Sequence, residues 1–128
     1  MTSTATATPL RYTCELALTD VDALEAFFRT NIGEVQQHHD VHTAENRAAR
    51  SLQSMLGRRF EQLRQAFLYD DGSREVLQVK DRHWSELCLT AIPWREHPAF
   101  DTARWRSTQH LNAEHEVEMA AYRRSMLR

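Results

Sequence analysis

Glycine, proline and lysine are all scarce in this 128-residue chain: three glycines, three prolines and a single lysine, Lys80. Three scattered glycines leave no room for a Gly-rich phosphate-binding loop, and neither a Walker pattern nor a GxSxG elbow is present. The two cysteines, Cys14 and Cys88, have no CxxC spacing. They read as two buried thiols in a reducing compartment, with a disulfide between them as the minority alternative. No run approaches the 18 apolar residues of a membrane span, and MTSTATATPL lacks the basic and apolar regions of a secretory signal. A net charge of −2 gives no global field for nucleic acid or a membrane surface. These absences place the protein in the cytoplasm or within a macromolecular assembly. They show no catalytic signature and give no reason to expect a cofactor beyond a divalent transition metal.

Hydrophobic residues make up 41% and charged residues 27%, a composition suited to one folded domain. The basic charge is almost all arginine, whose forked donors and planar face suit interfaces. Residues 1–9 are small and polar and read as a flexible or partner-bound arm. Residues 10–128 read as a single α+β domain.

The stretch from Asp20 to Phe67 organises that domain. Leu24, Phe28, Ile32 and Val35, then Leu52, Leu56, Phe60, Leu63 and Phe67, recur at helical steps of three and four. Between the two halves the pattern turns polar: His38, His39, Asp40, Val41, His42, Thr43. Either one helix continues through this segment, or a turn intervenes and Asp40 or Thr43 caps a new start. Upstream, Leu10, Tyr12, Cys14, Leu16 and Leu18 alternate with more polar residues, the pattern of a half-buried strand. Thr19 or Asp20 then caps the first helix.

Downstream, Asp71-Gly72 reads as a hairpin turn or as the left-handed stop of a helix. Glu75 to Lys80 reads as a strand on its Val and Leu content. His83 to Ile92 fits either period, and the neighbouring strand favours a hairpin ended by Pro93. Asp101 would cap a last helix carrying Trp105, Thr108, Leu111, His115, Met119, Tyr122 and Met126 on one side. The predicted order is β-α-α-β-β-α, with the helices packed on a small, mostly antiparallel sheet.

Four sets of residues could carry function. On a continuous helix His38, His42 and Glu45 project together, and His115 lies central on the last stripe. Imidazoles and a carboxylate on facing helices are the donors of a zinc or non-haem iron site. As an exposed turn, the same histidines are simply solvated. Cys88 with His83 and Asp81 could form a thiol–imidazole pair, or Cys88 could be inert core. Arg47, Arg50, Arg58, Arg59 and Arg64 lie on the polar side of the second helix, where they could hold phosphates of a nucleic acid, contact an acidic partner, or face solvent. Trp94, in a loop between prolines, is expected to be exposed as an interface anchor, whereas Trp84 and Trp105 are expected in the core. The leading expectation is a non-catalytic protein–protein interaction or assembly component that self-associates or docks on a larger partner. Metal binding and nucleic-acid association are the alternatives.

Overall fold

The computed structural model describes residues 8–110 and 113–127. It contains four helices: α1 (Leu18–His38), α2 (Ala44–Leu68), α3 (Arg74–Ala91) and α4 (Ala113–Met126). Short 3-10 turns cover Thr13–Glu15 and Ile92–Trp94. Among the described residues there is no strand, only one isolated parallel bridge between Tyr12 and Gln109. The predicted α+β architecture is therefore wrong; the chain is all-helical.

The first predicted strand fails for a traceable reason. Leu10 and Leu16 are buried, but Cys14 and Leu18 are exposed and Thr13 is fully buried. The alternation does not sort the residues between two faces. The backbone instead finds partners in the C-terminal loop: Leu10 N–H donates to Ala103 O at 2.8 Å, Thr13 N–H to Gln109 O at 2.8 Å, and Gln109 N–H to Arg11 O at 3.1 Å. Buried backbone groups must be paired, and a loop can pair them as well as a strand can.

The predicted strand over 75–80 and hairpin over 83–92 are one helix, α3. Leu77, Lys80, Trp84, Leu87, Cys88 and Ala91 are its buried residues, spaced by three, four, three, one and three. That is helical periodicity, and it outweighs the β propensity of Val76, Val79 and Leu87. Ser73 caps the helix by accepting from Val76 N–H at 3.3 Å. Gly72, at φ 75°, turns the chain between α2 and α3, a conformation only glycine takes without strain. The last helix begins at Ala113 rather than after Asp101. Asp101 accepts from Arg104 N–H at 3.0 Å and closes a turn instead.

Helices α1, α2 and α3 pack in succession, with α2 between its neighbours. Arg64, near the end of α2, reaches Asp22 and Glu25 near the start of α1 at 2.7 and 2.8 Å, so α1 and α2 run antiparallel. The core runs from Leu10 to Trp105. Phe28 meets Phe60 edge-on, and Phe27 meets Phe100 edge-on and Trp105 at a tilt, so the segment after α3 closes over the α1 side of the bundle. Trp84 is fully buried, and its indole N–H donates to Arg106 O at 2.9 Å. Trp84 and Trp105 are thus core residues, as expected from the sequence. Residues 1–7, most of the expected N-terminal arm, lie outside the described residues. Thr8 is exposed, and its carbonyl accepts from Arg104 Nη1 at 2.9 Å.

Candidate functional site

The polar gap in the long helical pattern is a turn. Helix α1 ends at His38, whose Nδ1 lies 2.8 Å from Glu34 O. Asp40 Oδ1 accepts from His42 N–H at 3.0 Å, and Thr43 caps α2 by accepting from Asn46 N–H at 3.2 Å. Asn46 is buried beneath the turn. Its amide donates to Gln36 O at 3.1 Å and His39 O at 2.9 Å, satisfying carbonyls that the end of α1 leaves open. His38, His42 and Glu45 are all exposed, and because the helix stops at His38 they do not share a helical face. Glu45 lies 3.9 Å from His39 instead. The side chain of His115, the fourth member of the proposed metal set, lies outside the described residues. Among the described residues, no three His, Cys, Asp or Glu side chains converge to hold a metal.

Most of the arginine stripe is engaged within the fold. Arg50 donates to Val41 O at 2.9 Å, across the α1–α2 turn. Arg59 lies 3.1 Å from His83 Nδ1 and 3.1 Å from Glu86 on α3. Arg64 is held by Glu25 and Asp22, whose hydrogen bonds raise its pKa, and sits over the Phe60 ring. Arg47 and Arg58 are exposed. Trp94 is half-buried rather than exposed, with its ring edge-on to Phe28 at 5.9 Å. The loop that carries it folds back on the core.

The environment of Cys88 opposes thiol catalysis. Burial, reinforced by the charge of Asp20, pushes its pKa far up, and a thiol held protonated is a poor nucleophile. His83 is displaced downward, first by partial burial and then by the charges of Arg59 and Arg82. Its nearest polar partner is Arg59 rather than a thiol.

Two polar networks were not anticipated from the sequence. In the first, Asp81 Oδ1 accepts from Thr108 Oγ1 at 2.9 Å and from Ser85 Oγ at 3.0 Å. Thr108 gives its proton to that carboxylate, so Thr13, 2.9 Å away, donates to Thr108. His110 Nδ1 stands 3.8 Å from Asp81 Oδ2. Every hydroxyl is committed to the carboxylate or to another hydroxyl, leaving none poised against an imidazole as a nucleophile requires. The network braces α3, the Thr13 turn and the 101–110 segment together. The second network is the Asp20–Arg104 pair. Only the i, i+4 spacing of Asp81 and Ser85 was locally visible; every other contact joins residues remote in sequence.

Against this closed interior stands α4. Its large described apolar residues are exposed: Val117 is 67% exposed, Tyr122 58% and Met126 67%, and Leu127 just beyond it is 87% exposed. Shallow apolar surface also remains between α2 and α3, where Ala66, Tyr69, Val76 and Val79 line a groove of about 410 Å³. No helix among the described residues is long and apolar enough to cross a membrane. No protein-family model, no curated protein and no solved structure matches the chain.

Proposed function

We propose that this chain is a non-catalytic interaction or assembly component whose docking element is α4. One observation supports the reading: among the described residues the hydrophobic core runs from Leu10 to Trp105, while Val117, Tyr122 and Met126 of α4 are exposed. Isolated helices shorter than roughly 12–15 residues are marginal, and α4 has 14. A helix of that length, with Tyr and Met exposed, gains stability when a partner covers it. Aromatic and methionine side chains are also the types enriched at interfaces.

The test is to replace Tyr122 and Met126 with Glu. A docking helix outside the core predicts an unchanged unfolding midpoint, since surface substitutions usually act within about 0.5 kcal/mol. If Tyr122→Glu unfolds the bundle, α4 belongs to the core and the reading fails.

A further inference from the structure

The end of α3 and the loop after it form a cleft that neither polar network uses. Its walls are apolar: Phe100 and Trp105, whose rings meet edge-on at 5.3 Å, and Leu89 and Ile92, which are 62% and 43% exposed. The cleft holds about 280 Å³, room for a small ring system and at the small end of ligand sites. Its charge is all of one sign. Arg95 and Arg106 border it, and none of its lining residues is acidic. Glu96 and Asp101, the neighbouring acids in sequence, are not part of that lining. Both arginines are exposed, and neither guanidinium makes a hydrogen bond or ion pair with the described residues. Other arginines of the fold are matched: Arg59 by Glu86, Arg64 by Glu25 and Arg104 by Asp20. The backbone beneath the unmatched pair is fixed. Arg95 N–H donates to Ile92 O at 2.9 Å and Arg106 N–H to Arg104 O at 3.1 Å, while Arg106 O accepts the Trp84 indole N–H at 2.9 Å. Thr102 and Ser107 bring hydroxyls to the same cleft. An exposed leucine or arginine standing alone needs no explanation. Here apolar walls and two uncompensated guanidiniums share one opening.

We propose that this cleft binds a small apolar anion, an aryl or branched alkyl body carrying one carboxylate or phosphate group. The body lies against Leu89, Ile92 and Trp105, and the anionic oxygens meet Arg95 and Arg106, whose forks take two oxygens at a time. Binding is non-covalent: Cys88, which also lines the cleft, is buried and its thiol is held protonated. The site is separate from α4 and does not depend on what docks there.

Amide NMR titration of the full chain tests it with three probes of one body: 3-phenylpropanoate, 3-phenylpropyl phosphate and the uncharged 3-phenylpropanol. At least one anion should bind with a Kd of about 1 mM, as suits so small a ligand, and shift amides over residues 89–95 and 102–107. The tighter anion identifies the head group. The alcohol should bind about tenfold more weakly, having lost the charge-assisted hydrogen bonds. Arg95→Ala combined with Arg106→Ala should weaken the anion by about the same factor and leave the unfolding midpoint and the alcohol unchanged. Arg47→Ala combined with Arg58→Ala, exposed arginines elsewhere, should leave anion binding as it was. Equal affinity for anion and alcohol overturns the proposal, as does an unaffected Arg95/Arg106 double variant. Shifts centred on the groove between α2 and α3 overturn it too, and so does the absence of shifts up to about 20 mM, far above the expected Kd.

Discussion

Arg104 grips Asp20 with two parallel hydrogen bonds, Nε to Oδ1 at 2.9 Å and Nη2 to Oδ2 at 2.7 Å, across 84 positions of sequence. The same guanidinium reaches Thr8 O and Glu15 O, and Asp20 Oδ2 also accepts from Ala17 N–H at 2.9 Å. One side chain therefore fastens the N-terminal segment, the first turn of α1 and the loop after α3. The hydrogen bonds to Asp20, with its charge and those of Asp101 and Glu15, hold the Arg104 pKa above its usual value.

Arg104→Ala should destabilise the fold by about 3 kcal/mol, because removing one partner of a largely buried pair leaves the other charge uncompensated. Arg104→Lys should recover only part of that, since an ammonium cannot make the two-point fork. Urea unfolding midpoints measure both. Equal stability of wild type and Arg104→Ala would contradict the fastening role.

Lys80 is the only lysine in the sequence and is 5% exposed. Its ammonium lies 2.6 Å from Asp70 Oδ2 and 4.0 Å from the centre of the Phe67 ring. Amine-reactive labelling of Lys80 should be negligible in the folded protein and rise with unfolding, as read by peptide mass spectrometry. Lys80→Met should cost about 1–2 kcal/mol, because Asp70 keeps access to water and can rehydrate. Asp70 is held below its ordinary value of 3.8, first by Lys80 and then by the Gly72 N–H. Its contribution to stability is thus present above 3.8 and lost as pH falls through its lower folded value. Lys80→Met should flatten most of that acid limb.

His83 behaves in the opposite sense to a salt-bridged histidine. Its pKa is lowered from 6.5 by burial and by Arg59 and Arg82. The unfolded chain takes up the proton first as pH drops, so stability is full above about 6.5 and declines below it until the folded group also titrates. His83→Gln should remove that step. Chemical denaturation at pH 7.5 and 5.5, values that bracket the unfolded pKa, compares the two proteins. An identical pH response in both would refute it.

Asn46→Ala should cost about 1–3 kcal/mol, since it leaves the carbonyls of Gln36 and His39 without their amide donor beneath a packed turn. Thr43→Ala removes the cap of α2 and should cost about 1 kcal/mol. Thermal unfolding checks both. The two effects should not simply add, because Asn46 N–H is the donor that Thr43 accepts.

The helical regions were legible where periodicity was long. The stripes of α1 and α2 extend over several turns, and both helices appear where their apolar residues recur. Thr43, one of the two caps read from the sequence, is the one used. Shorter patterns misled. Five alternating residues from Leu10 to Leu18 fit a strand, yet the local backbone has one bridge and a 3-10 turn. In α3, Val and Leu content suggested strands while the spacing of Trp84, Leu87, Cys88 and Ala91 carried the helix. The functional candidates fared unevenly for a related reason. Of the arginines of α2, Arg47, Arg50 and Arg58 are exposed, whereas Arg59 and Arg64 are half-buried at the edge of its apolar stripe, held by groups brought over from α1 and α3.

The sequence by itself determined the long apolar stripes of α1 and α2 and the polar interruption between them, and it offered Thr43 as one possible cap and Gly72 as one possible helix stop. These depend on neighbours three or four residues away, so they are written locally. Only the tertiary structure decided that Leu10, Arg11 and Thr13 pair with a loop, that Arg104 closes on Asp20, that Asp81 draws in Thr108 and, through it, Thr13, and that Tyr122 and Met126 of α4 stay exposed. Those outcomes join residues far apart in the chain, and a side chain's local pattern does not specify which distant group will reach it.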